Sequence, residues 1–154
     1  MNKGSILKIK NHLKEAEKIA EEELGISNIF YNEGFIELFM ADDLNHKWNS
    51  ETQGGDAYEM DESPTEYKAV NTRSKSKGSY QFHWLSDKKV KKYSETKNMY
   101  FATRDGVSIT EIYKLPTEKL LSKIEEKSTG GKSISGHVSF SLNQLKTMGA
   151  EQIK

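Results

Sequence analysis

The sequence contains no cysteine in 154 residues. Disulfides, thiolate zinc centres and cysteine nucleophiles are therefore excluded. It also lacks any apolar run long enough to span a bilayer, and hydrophobic residues make up only 34% of it. The N-terminal stretch MNKGSILKIKNHLKEAEK has charges interrupting every short apolar segment, so it does not read as a signal peptide. Net charge is missing too, at a formal +0. These absences fit a cytoplasmic protein with no membrane partner. The length suits one domain, residues 1–154, with a modest core.

What is present is charge, sorted along the chain. From Glu15 to Glu66 there are fifteen acids against two lysines, and from Lys68 to Lys97 nine basic residues against two acids. A chain sorted in this way can turn a basic face to a polyanion while its average stays neutral.

The pattern of apolar residues predicts an α+β fold with a mixed central β-sheet flanked by helices. Ile6, Ile9, Leu13, Ala16, Ala20 and Leu24 recur at helical spacing, giving a helix over 5–24 with Ser5 as its cap and Gly25 as its stop. Its heptad-like seam suits either a second copy of itself or the protein's own sheet. Strands are expected at Phe35–Ala41, Asp56–Met60 and Thr65–Val70, with a polar loop from Asp42 to Gly55. Residues 71–83 read as a basic, partly irregular crossing, followed by a short helix near Asp87–Tyr93. Two stronger strands, Met99–Thr103 and Ser108–Leu115, flank the turn signal Asp105-Gly106. A helix capped by Thr117 runs to about Lys127. Ser128–Gly136 is a Ser/Gly loop, His137–Leu142 alternates as a strand would, and a short turn or helix ends the chain.

The segment that carries chemistry runs from Asp56 to Val70. Side chains alternate along a strand, so Glu66 and Lys68 share a face and Tyr67 takes the other. With Asp56 from the preceding strand they can form one compact site. Two carboxylates and a main-chain carbonyl, such as that of Tyr67, are hard oxygen ligands suited to Mg²⁺. A bound Mg²⁺ polarises a phosphodiester and acidifies a bound water, and a lysine can hold the attacking water. The spacing alone is common here. Glu95-x-Lys97 and Glu125-x-Lys127 repeat it, and Asp87-x-Lys89 matches a looser form. Only Glu66-x-Lys68 lies in a strand-like run with an acid one strand earlier. Arg73, Lys75 and Lys77 follow that strand and suit phosphate contacts. The Lys88, Lys89, Lys91 and Lys92 cluster suits phosphate contact or helix solubility. His12 on a charged helix and His46 in a polar loop lack zinc-ligand spacing.

The stretch GDAYEMDESPTEYKAVN resembles the active-site segment of the PvuII-like type II restriction endonucleases, a branch of the PD-(D/E)xK nuclease superfamily. The resemblance extends to Gly25–Phe30 upstream and to Lys92-Tyr93, Phe101-Ala102 and Ile109–Leu115 downstream. It thus spans most of Gly25 to Leu115 and weakens towards the C-terminus. It implies a restriction-endonuclease-like core at 35–115, a dimerisation helix within 1–24, and a C-terminal helix and DNA-recognition segment at 116–154. It implies a homodimer cutting both strands of double-stranded DNA at a short palindromic site, leaving 5′-phosphates and 3′-hydroxyls. Mg²⁺ would be bound by Asp56 and Glu66, Lys68 would assist the attacking water, and Tyr93 would lie near the scissile phosphate. A cognate DNA methyltransferase is expected in the same cell.

The departures from the family pattern concern recognition. His83 is kept where the family places neighbouring histidines, but Trp84 stands beside it. An indole offers one donor and much apolar surface. His137 stands in the C-terminal stretch where the family has paired asparagines. Asn32 replaces an acidic residue of the DNA-contacting segment. The target sequence therefore need not be the family's. Two other readings are a repair or junction-resolving nuclease of the same superfamily and a DNA-binding protein that does not cut.

Overall fold

The computed structural model describes residues 2–51, 54–74, 78–127 and 136–154. Lys75, Lys77 and residues 128–135 of the expected Ser128–Gly136 loop lie outside them, and Gly136 itself opens a strand. The chain opens with α1 (Lys3–Leu24), ended by Gly25 at φ 69°. Its cap is Asn2, not Ser5: the Asn2 side chain accepts the Ser5 N–H at 3.2 Å. The expected seam is mostly exposed. Ile9 and Leu13 are 60% and 47% accessible, and only Ala20 is buried, against Ile26 and Ile29. Along most of its length this seam therefore does not pack on the protein's own sheet, and only Ala20 joins a cluster that reaches Trp48.

A tight turn with a 3₁₀ segment at Tyr31–Glu33 leads into α2 (Gly34–Leu44). The expected strand at Phe35–Ala41 is thus a helix. The run FIELFMA is apolar on nearly every position, so it shows neither the strand nor the helix period cleanly. Burial decides: Ile36, Met40 and Ala41 pack on Tyr67, Tyr100 and Ile112 of the sheet. The helix also shortens the expected loop at 42–55, which further holds the two-residue strand β1 (Lys47–Trp48).

The strands are β2 (Ala57–Tyr58), β3 (Pro64–Asn71), β4 (Ser79–Leu85), β5 (Asn98–Asp105), β6 (Ser108–Pro116), β7 (Gly136–Ser141) and β8 (Glu151–Gln152). Interspersed are α3 (Asp87–Ser94), α4 (Thr117–Lys127) and α5 (Leu142–Thr147). Six strands form the main sheet in the order β1-β2-β3-β5-β6-β8. It is mixed: β3 runs parallel to β5, and the other neighbours are antiparallel. The β5–β6 hairpin turns at Gly106, whose φ of 63° suits glycine. A separate ribbon pairs β4 with β7. The expected irregular crossing at 71–83 is therefore a strand in its second half. The polar lead-in NTRSKSKG conceals the alternation of buried Tyr80, Phe82 and Leu85.

Two apolar layers sandwich the sheet. One lies under α2. The other joins Met99, Phe101 and Leu115 to Phe82, Tyr93, Leu120 and Phe140. Because Glu66 pairs with Met99 and Lys68 with Phe101, both ionisable residues face this second layer.

Gly55 fixes how β2 approaches β3. A Cβ there would stand 2.5 Å from the Thr65 carbonyl oxygen and 3.0 Å from the Thr65 nitrogen. That same carbonyl accepts the Asp56 N–H at 2.9 Å. Gly55→Ala should lower unfolding free energy by about 1–3 kcal/mol, the usual cost of overpacking. Urea denaturation measures this, and an unchanged midpoint would show that the two strands can separate freely.

Candidate active site

The centre forms where the entry to β2 meets β3. Asp56 is held twice by the main chain: its N–H donates to Thr65, and its Oδ2 accepts the Tyr67 N–H at 2.7 Å. Its carboxylate therefore sits beside the middle of β3. Glu66 is only 4% accessible. Lys92 of α3 brings its Nζ to 2.9 Å from Glu66 Oε1, yet that oxygen has no well-aligned hydrogen-bond donor among the described residues. The contact is charge on charge. Burial, and then the neighbouring charge of Asp56, raise the Glu66 pKa against the pull of Lys68 and Lys92.

Lys68 emerges on the same face. Its Nζ donates to the Tyr67 carbonyl at 3.0 Å and lies 5.7 Å from the Phe82 ring centre and 6.0 Å from that of Tyr93. Aromatic faces attract a cation and leave its N–H groups available in other directions. Tyr93 is 2% accessible, with its hydroxyl pKa raised by burial and then by Glu66 and Asp56. The Tyr67 side chain points to the α2 layer, where its hydroxyl meets His46 Nδ1 at 2.8 Å. His46 is thus partly buried and bonded, and burial lowers its pKa. Exposed His12 lies on α1, remote in sequence from these residues.

Glu37 of α2 was invisible to motif reading. Its carboxyl pKa is pushed up to about 7, first by burial and then by Asp56, with Glu66 adding and Lys68 and Lys92 opposing. It lines one cleft of 410 Å³ together with Tyr31, Asn32, Asp56 and Lys92. The only sequence signal was one acid inside an otherwise apolar run. Lys92 was seen as one of four clustered lysines, but not as the partner of Glu66.

The remaining expected residues divide. Asn32 is exposed, has a left-handed φ of 50° and borders the cleft. Arg73 is exposed, but its Nε pairs with Asp105, whose carboxyl it holds below the usual range. His83, Trp84 and His137 gather on the β4–β7 ribbon, away from Asp56 in the chain but joined to the centre through Phe82 and Lys89.

The donor set suits a hard divalent cation. Asp56 and Glu66 repel one another, and one Glu66 oxygen is buried without an aligned donor. A small cation between them would offset both effects. Among the described residues no three His, Cys, Asp or Glu side chains converge to hold a metal ion. The pair would therefore need a main-chain oxygen and water, which is how Mg²⁺ is commonly bound.

Two comparisons bear on this arrangement. A family model described as restriction endonuclease PvuII matches residues 1–136. No curated protein matches the chain.

Glu37 gives a test independent of activity. Its folded pKa lies above its unfolded value, so the stabilisation from its proton is present at low pH and is lost as pH rises through about 7. In metal-free buffer at pH 8, Glu37→Gln should be more stable than wild type by roughly 1–2 kcal/mol after allowance for solvent screening. The two should converge near pH 4.5. Chemical denaturation at both pH values reads this; a variant less stable at pH 8 would mean that the lysines outweigh burial.

Proposed function

The chain belongs to the restriction endonuclease PvuII family, and from that premise we propose that Asp56, Glu66 and Lys68 form its Mg²⁺-dependent cutting centre. Membership makes it a site-specific deoxyribonuclease of the type II restriction class. No helix among the described residues is long and apolar enough to cross a membrane. The observation that carries the reading is the convergence of Asp56 on the strand bearing Glu66 and Lys68, through the 2.7 Å bond to Tyr67 N–H.

Asp56, Glu66 and the Tyr67 carbonyl would hold Mg²⁺. That carbonyl already accepts from Lys68, and its second lone pair remains for a cation. When bound, the ion polarises the phosphodiester and acidifies its water. Lys68, set over the Phe82 and Tyr93 rings, orients the attacking water and offsets the negative charge that develops on phosphorus oxygens. Tyr93 supports that lysine from within the apolar layer. Lys92 neutralises Glu66 and is a second cation at the edge of the cleft. Hydrolysis leaves a 5′-phosphate and a 3′-hydroxyl. Asn32, His83, Trp84 and His137 are proposed DNA contacts, with Arg73, Lys75 and Lys77 on phosphates. Arg73 must share its charge with Asp105.

Cutting both strands of a palindrome calls for two centres related by a two-fold axis. The exposed apolar row on α1 supports a homodimer through that helix, because burying each such side chain contributes roughly 1.5–3 kcal/mol. A cognate methyltransferase in the same cytoplasm completes the proposed system.

Plasmid DNA incubated with protein and Mg²⁺ should give discrete fragments whose ends share one sequence. Cutting only at branched or damaged DNA would favour a repair nuclease, and binding without cutting, unchanged in Glu66→Ala, would sink the enzymatic reading. Lys68→Ala should abolish cleavage but keep specific binding; near-normal turnover would mean the wrong lysine has been chosen. Separately, Ile9→Glu with Leu13→Glu should convert a dimer to a monomer in sedimentation analysis. A persistent dimer would place the interface elsewhere.

A further inference from the structure

The β4–β7 ribbon brings together two imidazoles that lie 54 positions apart in the chain. Its register shifts between Phe82 and Leu85, so that His83 and Trp84 bulge opposite the single residue His137. Trp84 takes a left-handed φ of 53°, which is uncommon for a bulky aromatic. Bulges re-aim side chains, and here the result is convergence: His83 Nδ1 stands 3.0 Å from His137 Nδ1. Lys89 Nζ holds the bulge from α3 by donating to the His83 carbonyl at 2.7 Å. Trp84 packs edge to face against His137, with ring centres 4.8 Å apart.

Two neutral imidazoles can meet in this way by sharing one hydrogen. The same spacing fits a shared metal ion. Two nitrogens bound to one ion at about 2.0–2.1 Å stand roughly 2.9 Å apart at a right angle and roughly 3.4 Å apart at the tetrahedral angle. The observed 3.0 Å falls inside that range. Ring centres on one ion would lie roughly 4.5–5.2 Å apart. Those of His83 and His137 are 5.1 Å apart. Hydrogens balance on binding: the ring that carried its hydrogen on Nδ1 carries it on Nε2 instead, which leaves both Nδ1 lone pairs for the ion.

Ligand chemistry selects the ion. Imidazole nitrogen suits zinc, nickel and copper, whereas Mg²⁺ takes oxygen ligands. The pair therefore differs in kind from Asp56 and Glu66. Among the described residues no third His, Cys, Asp or Glu side chain joins it, so water fills the remaining positions. Both residues are exposed, so an ion reaches them without opening the fold. His46 is not equivalent, because its Nδ1 is engaged by the Tyr67 hydroxyl at 2.8 Å.

We propose that His83 and His137 form a two-imidazole site for a divalent transition ion of the zinc class, separate from the cutting centre. The bound ion cross-links β4 and β7 at the bulge, where their register is interrupted. The inference goes beyond the restriction reading and does not depend on it.

The test uses the full-length protein in excess Mg²⁺, titrated with Zn²⁺ by calorimetry. One site per chain is expected. His83→Ala and His137→Ala should each weaken it about tenfold or more, since loss even of a partner outside the coordination shell has an effect of that size. His12→Ala should leave it unchanged. Ni²⁺ should quench the fluorescence of Trp84, and Trp84→Phe should remove that quenching while keeping Zn²⁺ affinity. Nuclear magnetic resonance of ¹⁵N-histidine in the wild-type protein gives a readout free of any variant: with Zn²⁺ bound, His83 and His137 should both carry hydrogen on Nε2 alone. No binding, an Nδ1–H retained on either ring, or unchanged affinity in either histidine variant overturns the site. Displacement of Zn²⁺ by further Mg²⁺ would assign the binding to Asp56 and Glu66 and overturn it as well. None of these readouts involves cleavage, so the restriction reading stands or falls separately.

Discussion

Both faces of β3 are covered, yet one of them carries a carboxylate and an ammonium. Strand alternation dictates this: Tyr67 goes to the α2 layer, so Glu66 and Lys68 must go to the other. A charge taken out of water is costly unless it is paired or bonded. Much of the surrounding architecture answers that demand. Asp56 is anchored to the β3 main chain, Lys92 reaches Glu66 from α3, and two aromatic rings lie under Lys68. Gly55 permits the close approach of strands on which the anchoring of Asp56 depends. The centre is thus supported by strand geometry and packing, not by the charged residues alone.

Much of this was legible in the sequence where local pattern and tertiary burial agree. The alternation at Thr65–Val70, the Asp105-Gly106 turn and the spacing in α1 all appear in the structure close to where they were expected. The reading failed where local pattern was indifferent. Phe35–Ala41 is apolar nearly throughout, and only its docking on Tyr67 and Tyr100 makes it a helix. Strand β4 was hidden by its polar approach.

The site shows the same division. Asp56, Glu66 and Lys68 could be chosen among several acid-lysine pairs because strand placement distinguishes them. Glu37 could not, since nothing in its neighbours along the chain shows that α2 points it toward Asp56. The contact between His83 and His137 spans 54 positions and depends on a register shift in a two-stranded ribbon. Spacing rules cannot supply that kind of information. They identify which residues are chemically able to act, and the fold decides which of them meet.

The main sheet begins and ends with very short strands. Both β1 and β8 have only two residues, whereas β3, β5 and β6 between them have eight or nine. A long open edge would invite another chain to extend the sheet by main-chain hydrogen bonds. Here the long β3–β5 and β5–β6 ladders are interior, and the outermost strands of the sheet are stubs too brief to template such growth. The proposed association of two copies then falls to side-chain contacts on helices, which can specify one partner and one geometry without the risk of indefinite stacking.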